Sequence, residues 1–227
     1  MAANPSRASE IIERCQALFD DLDFNAVKQW KAAAPGRKAI GYMPVYVPRE
    51  LIHAAGMLPV GILGGGDALE VIQGDAYYQS YICRIPRSTI ELGLTGRLDC
   101  LDGMLFPSIC DVIRNLSGMW QILFKDKYVR YFDVPQNYQD AIGGSYYVHE
   151  LELLRDGLAK LRGKPITDAE ATCAGAAGTT SGWASGITTC AFAPPQAAES
   201  SATAPSAGQI TRRAMRLLSR GLRAFGR

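Results

Sequence analysis

The sequence predicts an α/β fold, a parallel sheet flanked by helices, followed by a tail of different character. Three observations carry this reading. Four short apolar runs, at residues 38–42, 58–63, 101–106 and 128–134, have strand length, and stretches of helical periodicity separate them. Proline or glycine stands at the junctions, as in Pro35-Gly36, Gly56, Pro107 and Pro135. Beyond residue 170 the composition changes abruptly: Ala, Gly, Ser and Thr fill 28 of the 40 positions from 171 to 210, with no Lys or Arg and a single acid, Glu199. Such a segment buries too little apolar surface to offset its ordering entropy, which predicts disorder.

Each element follows from its residues. Ile11, Ile12, Cys15, Leu18, Phe19 and Leu22, then Val27 and Trp30, recur at three- and four-residue steps with a break at Asp23 and Asn25. That pattern predicts a helical hairpin with Cys15 in the core. The strand at 38–42, a helix opened by Pro48 and running to about Ala55, and the strand from Leu58 make one β-α-β unit. Residues 67–73 and 76–94 read as helices, interrupted by Gly74 and bent near Pro86. The third strand stops at Pro107, and residues 111–124 place Val112, Ile113, Leu116, Met119, Trp120 and Leu123 on one helical face. The fourth strand stops at Pro135 and a long helix follows at 146–161. This alternation favours a sheet covered on both sides, and such sheets bind ligands beyond the carboxyl ends of their strands. The expected division is N-terminal helices at 1–34, an α/β lobe at 35–168 and the atypical tail at 169–227.

Composition excludes some functions. With 227 residues and 48% hydrophobic content, one competent domain is expected. A net charge of +2, from 24 basic and 22 acidic residues, gives no long-range field for nucleic acid or an anionic membrane. No apolar stretch of a signal peptide follows Met1, and no run approaches the roughly 20 apolar residues of a membrane span, so a cytoplasmic protein is expected. The basic amphipathic stretch 210–227 is the one segment that would suit a membrane or an acidic partner. Six cysteines in a reducing compartment read as free thiols or metal ligands. No Ser-His-Asp order, phosphate loop or paired-His motif appears.

Cys83 and Cys110 stand out. Cys110 follows Pro107 at a strand end and opens a helix, where free N–H groups and the helix dipole favour a thiolate, the form that binds soft metals and iron-sulfur clusters. The 27-residue separation from Cys83 is no ferredoxin or zinc-ribbon spacing, so the residues alone leave buried core cysteine open for both. Cys100 reads as a core or surface thiol, and Cys173 and Cys190 are given no role. Gly64-Gly65-Gly66, after a strand and before a helix, lets backbone approach a bulky ligand or is a plain turn; it is not the dinucleotide fingerprint. Arg84 and Arg87, beside Cys83, would neutralise a cluster, grip a carboxylate or phosphate, or lie solvated. Tyr77, Tyr78 and Tyr81 would line a pocket for a flat substrate or simply border the core.

Three stretches together carry a resemblance: Pro44-Val45-Tyr46-Val47-Pro48-Arg49-Glu50-Leu51-Ile52-His53-Ala54-Ala55-Gly56-Met57-Leu58-Pro59-Val60, then Tyr81 to Ser88, then Pro107-Ser108-Ile109-Cys110-Asp111. Over roughly residues 9–170 the chain resembles the benzoyl-CoA reductase and 2-hydroxyacyl-CoA dehydratase family, most of all a catalytic subunit of the ATP-dependent reductase branch. The resemblance implies the first lobe of a two-lobed α/β fold and a 4Fe-4S cluster held by three cysteines. Two of these match Cys83 and Cys110 in context; the third belongs to a second lobe that this sequence does not continue into. It also implies transfer of an electron to the aromatic ring of benzoyl-CoA in anaerobic aromatic degradation, a beta subunit as companion, and ATP-hydrolysing alpha and delta subunits fed by ferredoxin. In the dehydratase branch the same apparatus removes water from a 2-hydroxyacyl-CoA, and a non-catalytic remnant is the third reading. Where the family continues with a charged helix, this chain turns Ala- and Thr-rich, as a shifted reading frame near residue 170 would produce.

Overall fold

In the computed structural model, which describes residues 7–180, four short strands form one parallel sheet. They are β1 (Ala39–Tyr42), β2 (Leu58–Gly61), β3 (Gly103–Pro107) and β4 (Tyr128–Phe132), in the order β2-β1-β3-β4. Tyr42 lies opposite Gly61 on one side and Leu105 on the other, and Pro107 lies opposite Phe132. Side chains alternate across a strand. Ala39, Met104 and Phe106 therefore enter one core, and Ile40, Leu105 and Phe132 the other. The first core is closed by α4 (Arg84–Leu94) and α5 (Asp111–Leu123) through Ile90, Leu92, Leu116 and Trp120. The second is closed by α3 (Arg49–Ala54) and α6 (Ser145–Arg162) through Ile52, Leu154 and Leu158. Both faces are covered, as the unbroken apolar run of β3 requires.

The helices α1 (Arg7–Asp20) and α2 (Asn25–Ala32) behave differently from each other. Val27 of α2 enters the first core. Lys31 Nζ donates to Asp102 Oδ2 at 2.7 Å and to the Cys100 carbonyl at 2.8 Å, and Asp102 Oδ2 also accepts the Ala39 N–H at 2.8 Å. One carboxylate thus clasps α2 to the amino ends of β1 and β3. By contrast α1 buries no residue. The expectation of a core Cys15 is corrected: the thiol is exposed, and Ile12 and Phe19 are 66% and 59% exposed. Helical periodicity marks an apolar stripe without supplying a partner for it, and both faces of the sheet are already taken by α3 to α6.

A second correction concerns residues 67–83. In place of helices there are two single 3-10 turns, Gly66–Ala68 and Gly74–Ala76, and α4 begins only at Arg84. Side chains of α4 satisfy part of the polar backbone here, the N–H groups of Ile72 and Gly74 and the carbonyls of Leu69 and Ser80, and single turns satisfy Ala76, Tyr77 and Ile82. Pro86 falls in the first turn of α4, where its missing N–H costs nothing.

The lobe also continues past residue 168. Helix α7 (Asp168–Thr180) opens on a capping box: Thr167 Oγ1 accepts the Glu170 N–H at 3.2 Å while Glu170 Oε2 accepts the Thr167 N–H at 2.8 Å. Ala171 and Ala174 pack on the second core, so the expected tail boundary at 169 moves. The remainder of that expectation, residues 181–227 with their arginine-rich end and Cys190, lies outside the described residues.

Glu170 also receives Arg162 Nη2 at 2.5 Å, and Arg162 Nη1 donates to the Ala54 carbonyl at 3.2 Å. The Arg162 hydrogen bond, with the Thr167 N–H, pulls the Glu170 carboxyl from 4.5 down to about 2. A carboxylate depressed in the folded state contributes stability above its unfolded value and loses it as pH falls toward its folded value. Acidification from about pH 4.5 to pH 2 should therefore loosen α7 from α3 before the sheet opens. Hydrogen exchange of α7 amides measured across this window checks it, and Glu170→Gln should show the loosened exchange already at neutral pH.

Candidate functional site

The strand order reverses direction between β1 and β3: the chain goes from β1 to β2 on one side and then crosses to β3 on the other. In an open parallel sheet this switch point leaves a crevice at the carboxyl ends of the strands. The segments 43–48, 62–83 and 108–110, following β1, β2 and β3, all leave the sheet at that rim. Each carries exposed apolar side chains: Val45 and Tyr46 in the first, Leu63 and Tyr81 in the second, Ile109 in the third.

Cys83 ends the loop after β2 and is the N-cap of α4; Cys110 ends the loop after β3 and is the N-cap of α5. Both thiols are exposed, and neither is spent on a side-chain capping bond. A helix N-terminus presents unpaired N–H groups and favours negative charge beside it. What relates the two positions is Tyr78. Its hydroxyl donates to the Val112 carbonyl in the first turn of α5 at 3.4 Å and lies within electrostatic reach of both thiols. Burial above all, and then Cys110 and Cys83, push this phenol well above its ordinary value, so it stays a neutral donor.

The other residues singled out from sequence brace the loop that delivers Cys83. Arg84 Nε donates to the Gly66 carbonyl at 2.7 Å and Nη2 to the Leu69 carbonyl at 2.6 Å. Arg87 makes a two-pronged pair with Asp75, both bonds at 2.7 Å, and donates to the Ser80 carbonyl at 3.3 Å. Gly64 has φ +77°, and a Cβ there would come within 2.1 Å of Ser88 Oγ and 3.0 Å of the Ile85 carbonyl oxygen. Gly65 donates its N–H to Ser88 Oγ at 3.2 Å. The glycines therefore let the loop lie flat on the first turn of α4, and Gly66 faces open space. Sequence reasoning missed Glu91. This buried carboxylate of α4 accepts the N–H groups of Ile72 at 3.0 Å and Gly74 at 2.6 Å. The signal was a charge between Ile90 and Leu92, inside the apolar face of an otherwise regular helix.

Comparison with known proteins places these features. The family model described as 2-hydroxyglutaryl-CoA dehydratase, D-component, matches residues 44–174, from the loop after β1 to α7. The chain belongs to this family. Within it, the chain is 72% identical over 160 residues to the C subunit of the benzoyl-CoA reductase of Thauera aromatica, covering 70% of this chain and 42% of that protein. It is 37% identical over 139 residues to the beta subunit of (R)-2-hydroxyglutaryl-CoA dehydratase of Acidaminococcus fermentans, covering 61% of this chain and 36% of that protein. It is 34% identical over 133 residues to the beta subunit of (R)-phenyllactyl-CoA dehydratase of Clostridium sporogenes, covering 59% and 35%. The chain spans about two fifths of the length of these relatives.

A 4Fe-4S cluster, the group expected for this family member, is held mainly by cysteine thiolates. Two exposed thiols at neighbouring helix N-termini fit part of such a set. Among the described residues no group of three His, Cys, Asp or Glu side chains is gathered, so these residues make a partial set. Cys100 is no third member: it is half-buried against the first core at the amino end of β3, and burial raises its thiol. The cleft of about 490 Å³ between β4 and α6, lined by Tyr128, Arg130, Asp156 and Lys160, contains neither rim thiol. No helix among the described residues is long and apolar enough to cross a membrane.

Proposed function

We propose that this family member is a catalytic-type subunit of a cytoplasmic benzoyl-CoA reductase, in which Cys83 and Cys110 supply two thiolate ligands of a 4Fe-4S cluster. The single observation that carries the reading is the identity gap: 72% to a reductase subunit, against 37% and 34% to dehydratase subunits. When bound, the cluster would supply single electrons at the strongly reducing potential that dearomatisation of a ring demands. The residues of the chain itself do the remaining work. The Arg84, Arg87 and Glu91 bonds hold the 62–83 loop, so that Cys83 arrives at the rim in a fixed place. Gly64 and Gly65 seat the loop on α4, and Gly66, with open space beside it, is the point at which an acyl-CoA would approach backbone. Val45, Tyr46, Ile85 and Ile109 form an apolar border that, once covered by a companion subunit, keeps water from the thiolates. Beta, alpha and delta subunits, with ferredoxin as the indirect donor, complete the assembly.

The dehydratase reading is favoured by the matched family's description and by the relatives beyond the reductase. The product separates the two. The chain assembled anaerobically with its partner subunits, ATP and reduced ferredoxin should convert benzoyl-CoA to a cyclic diene thioester. An enoyl thioester from a 2-hydroxyacyl-CoA, with benzoyl-CoA untouched, would replace the proposal with dehydration; no turnover of either would mark a non-catalytic form.

A further inference from the structure

The loop that ends in Cys83 is tied almost wholly to α4, its own following helix, through Arg84, Arg87, Ser88 and Glu91. Those bonds fix Cys83 relative to α4, which packs beside α5 through Ile90, Leu92, Leu116 and Trp120; what further ties the rim ends of the two helices is whatever joins the loop to α5. Among the described residues one hydrogen bond does so: Tyr78 Oη to the Val112 carbonyl, two residues beyond Cys110. The tyrosine is well placed for the task. Its neighbours Tyr77 and Gln79 are exposed, while Tyr78 is half-buried and packs on the first core. Between Tyr78 and Cys83 the chain is turned by the Ile82 N–H bonding the Gln79 carbonyl at 3.0 Å, which keeps the connection between ring and thiol short.

Resting on the reading of Cys83 and Cys110 as a ligand pair, we propose that Tyr78 is the positioning residue of that pair. Its hydroxyl closes the path from Cys83 through the loop to α5 and Cys110, and so narrows the range of sulfur separations that the α4–α5 packing alone would allow. Loss of the hydroxyl leaves the ring packed and both thiols present, and widens the range of separations they sample. A ligand held by one sulfur is indifferent to this; a ligand held by both is weakened. Outer partners bonded directly to a ligand are worth roughly 10- to 100-fold in the affinity of a site, and Tyr78, which acts one step further out through the loop, is expected at the low end of that range.

Phenylarsine oxide is a suitable probe, because its arsenic forms bonds to two thiol sulfurs with release of one water. The full chain, cluster-free and reduced, is loaded with it, and retention is measured by competition with 1,2-ethanedithiol. Monofunctional alkylation of Cys83 and Cys110 is followed by mass spectrometry in parallel. Tyr78→Phe should retain the arsenical about tenfold more weakly than the unaltered chain, with both alkylation rates and the melting temperature unchanged. Equal retention in Tyr78→Phe overturns the inference, and so does a loss matched by faster alkylation of each thiol alone, which would mean general loosening. Equal retention in Cys83→Ser and the unaltered chain shows instead that the thiols never act as a pair, and the functional reading beneath falls first.

Discussion

Replacing Glu91 by alanine should destabilise the lobe by about 3 kcal/mol and release the loop that carries Cys83. The carboxylate is only 3% exposed and accepts two backbone N–H groups, those of Ile72 and Gly74. Hydrogen bonds to a charged acceptor contribute about 1.5–3 kcal/mol, and a buried donor left without a partner costs about 1–3 kcal/mol. Gly74 leaves little room for a rearranged loop: a Cβ there would lie 2.4 Å from the Arg87 carbonyl oxygen, so the turn is pressed on α4. Glu91→Gln keeps one acceptor oxygen and should recover more than half of the loss. Urea unfolding gives the stability change, and hydrogen exchange at Ile72 and Gly74 gives the local one. An alanine variant within about 0.5 kcal/mol of the unaltered protein, on the scale of a surface change, would mean that the loop is held by something else.

Replacing either Cys83 or Cys110 by serine should abolish most iron uptake in anaerobic reconstitution with iron and sulfide, and the double variant should lose no more than either single one. Groups that act as a unit are non-additive in this way. Because both side chains are exposed and neither caps its helix by a hydrogen bond, the substitutions should change stability by less than about 0.5 kcal/mol. Cys15→Ser is the control, an exposed thiol on a helix that buries nothing. Iron and acid-labile sulfide per chain, read beside a urea melt, distinguish lost ligation from lost folding. Uptake that falls equally with Cys15→Ser would indicate adventitious binding by surface thiols.

The strands and the amphipathic helices were legible because their signals are local. β3 is an unbroken apolar run, α5 has a one-sided stripe, and each is bounded by a proline or by the start of a polar helix. The rim position of Cys110 followed from the same reasoning, since a cysteine between a strand and a helix in a parallel sheet has only one end to occupy. Three things were not legible. Residues 67–73 and 76–83 looked helical because periodicity says nothing about backbone groups satisfied from elsewhere, and the Arg84 and Glu91 bonds that hold this stretch are tertiary. Cys15 looked buried because an apolar stripe does not reveal whether a partner exists. The capping box at Thr167 and Glu170 was present in the sequence, but the Ala- and Gly-rich composition after it outweighed a four-residue motif that in fact starts α7. Arg84 and Arg87 teach the converse lesson. Arginines beside a candidate ligand suggest substrate charge, yet here their donors are directed at Gly66, Leu69, Asp75 and Ser80 of the loop.

The most direct test of the shared site at positions 83 and 110 is crystallographic. Crystals of the chain reconstituted anaerobically with iron and sulfide, assembled with its companion subunit, are measured on both sides of the iron absorption edge. An anomalous peak bonded to the sulfurs of both Cys83 and Cys110, at the rim beyond the carboxyl ends of β1 and β3, is the predicted result. Iron bound elsewhere, or held by one of these sulfurs with the other turned away, would contradict it.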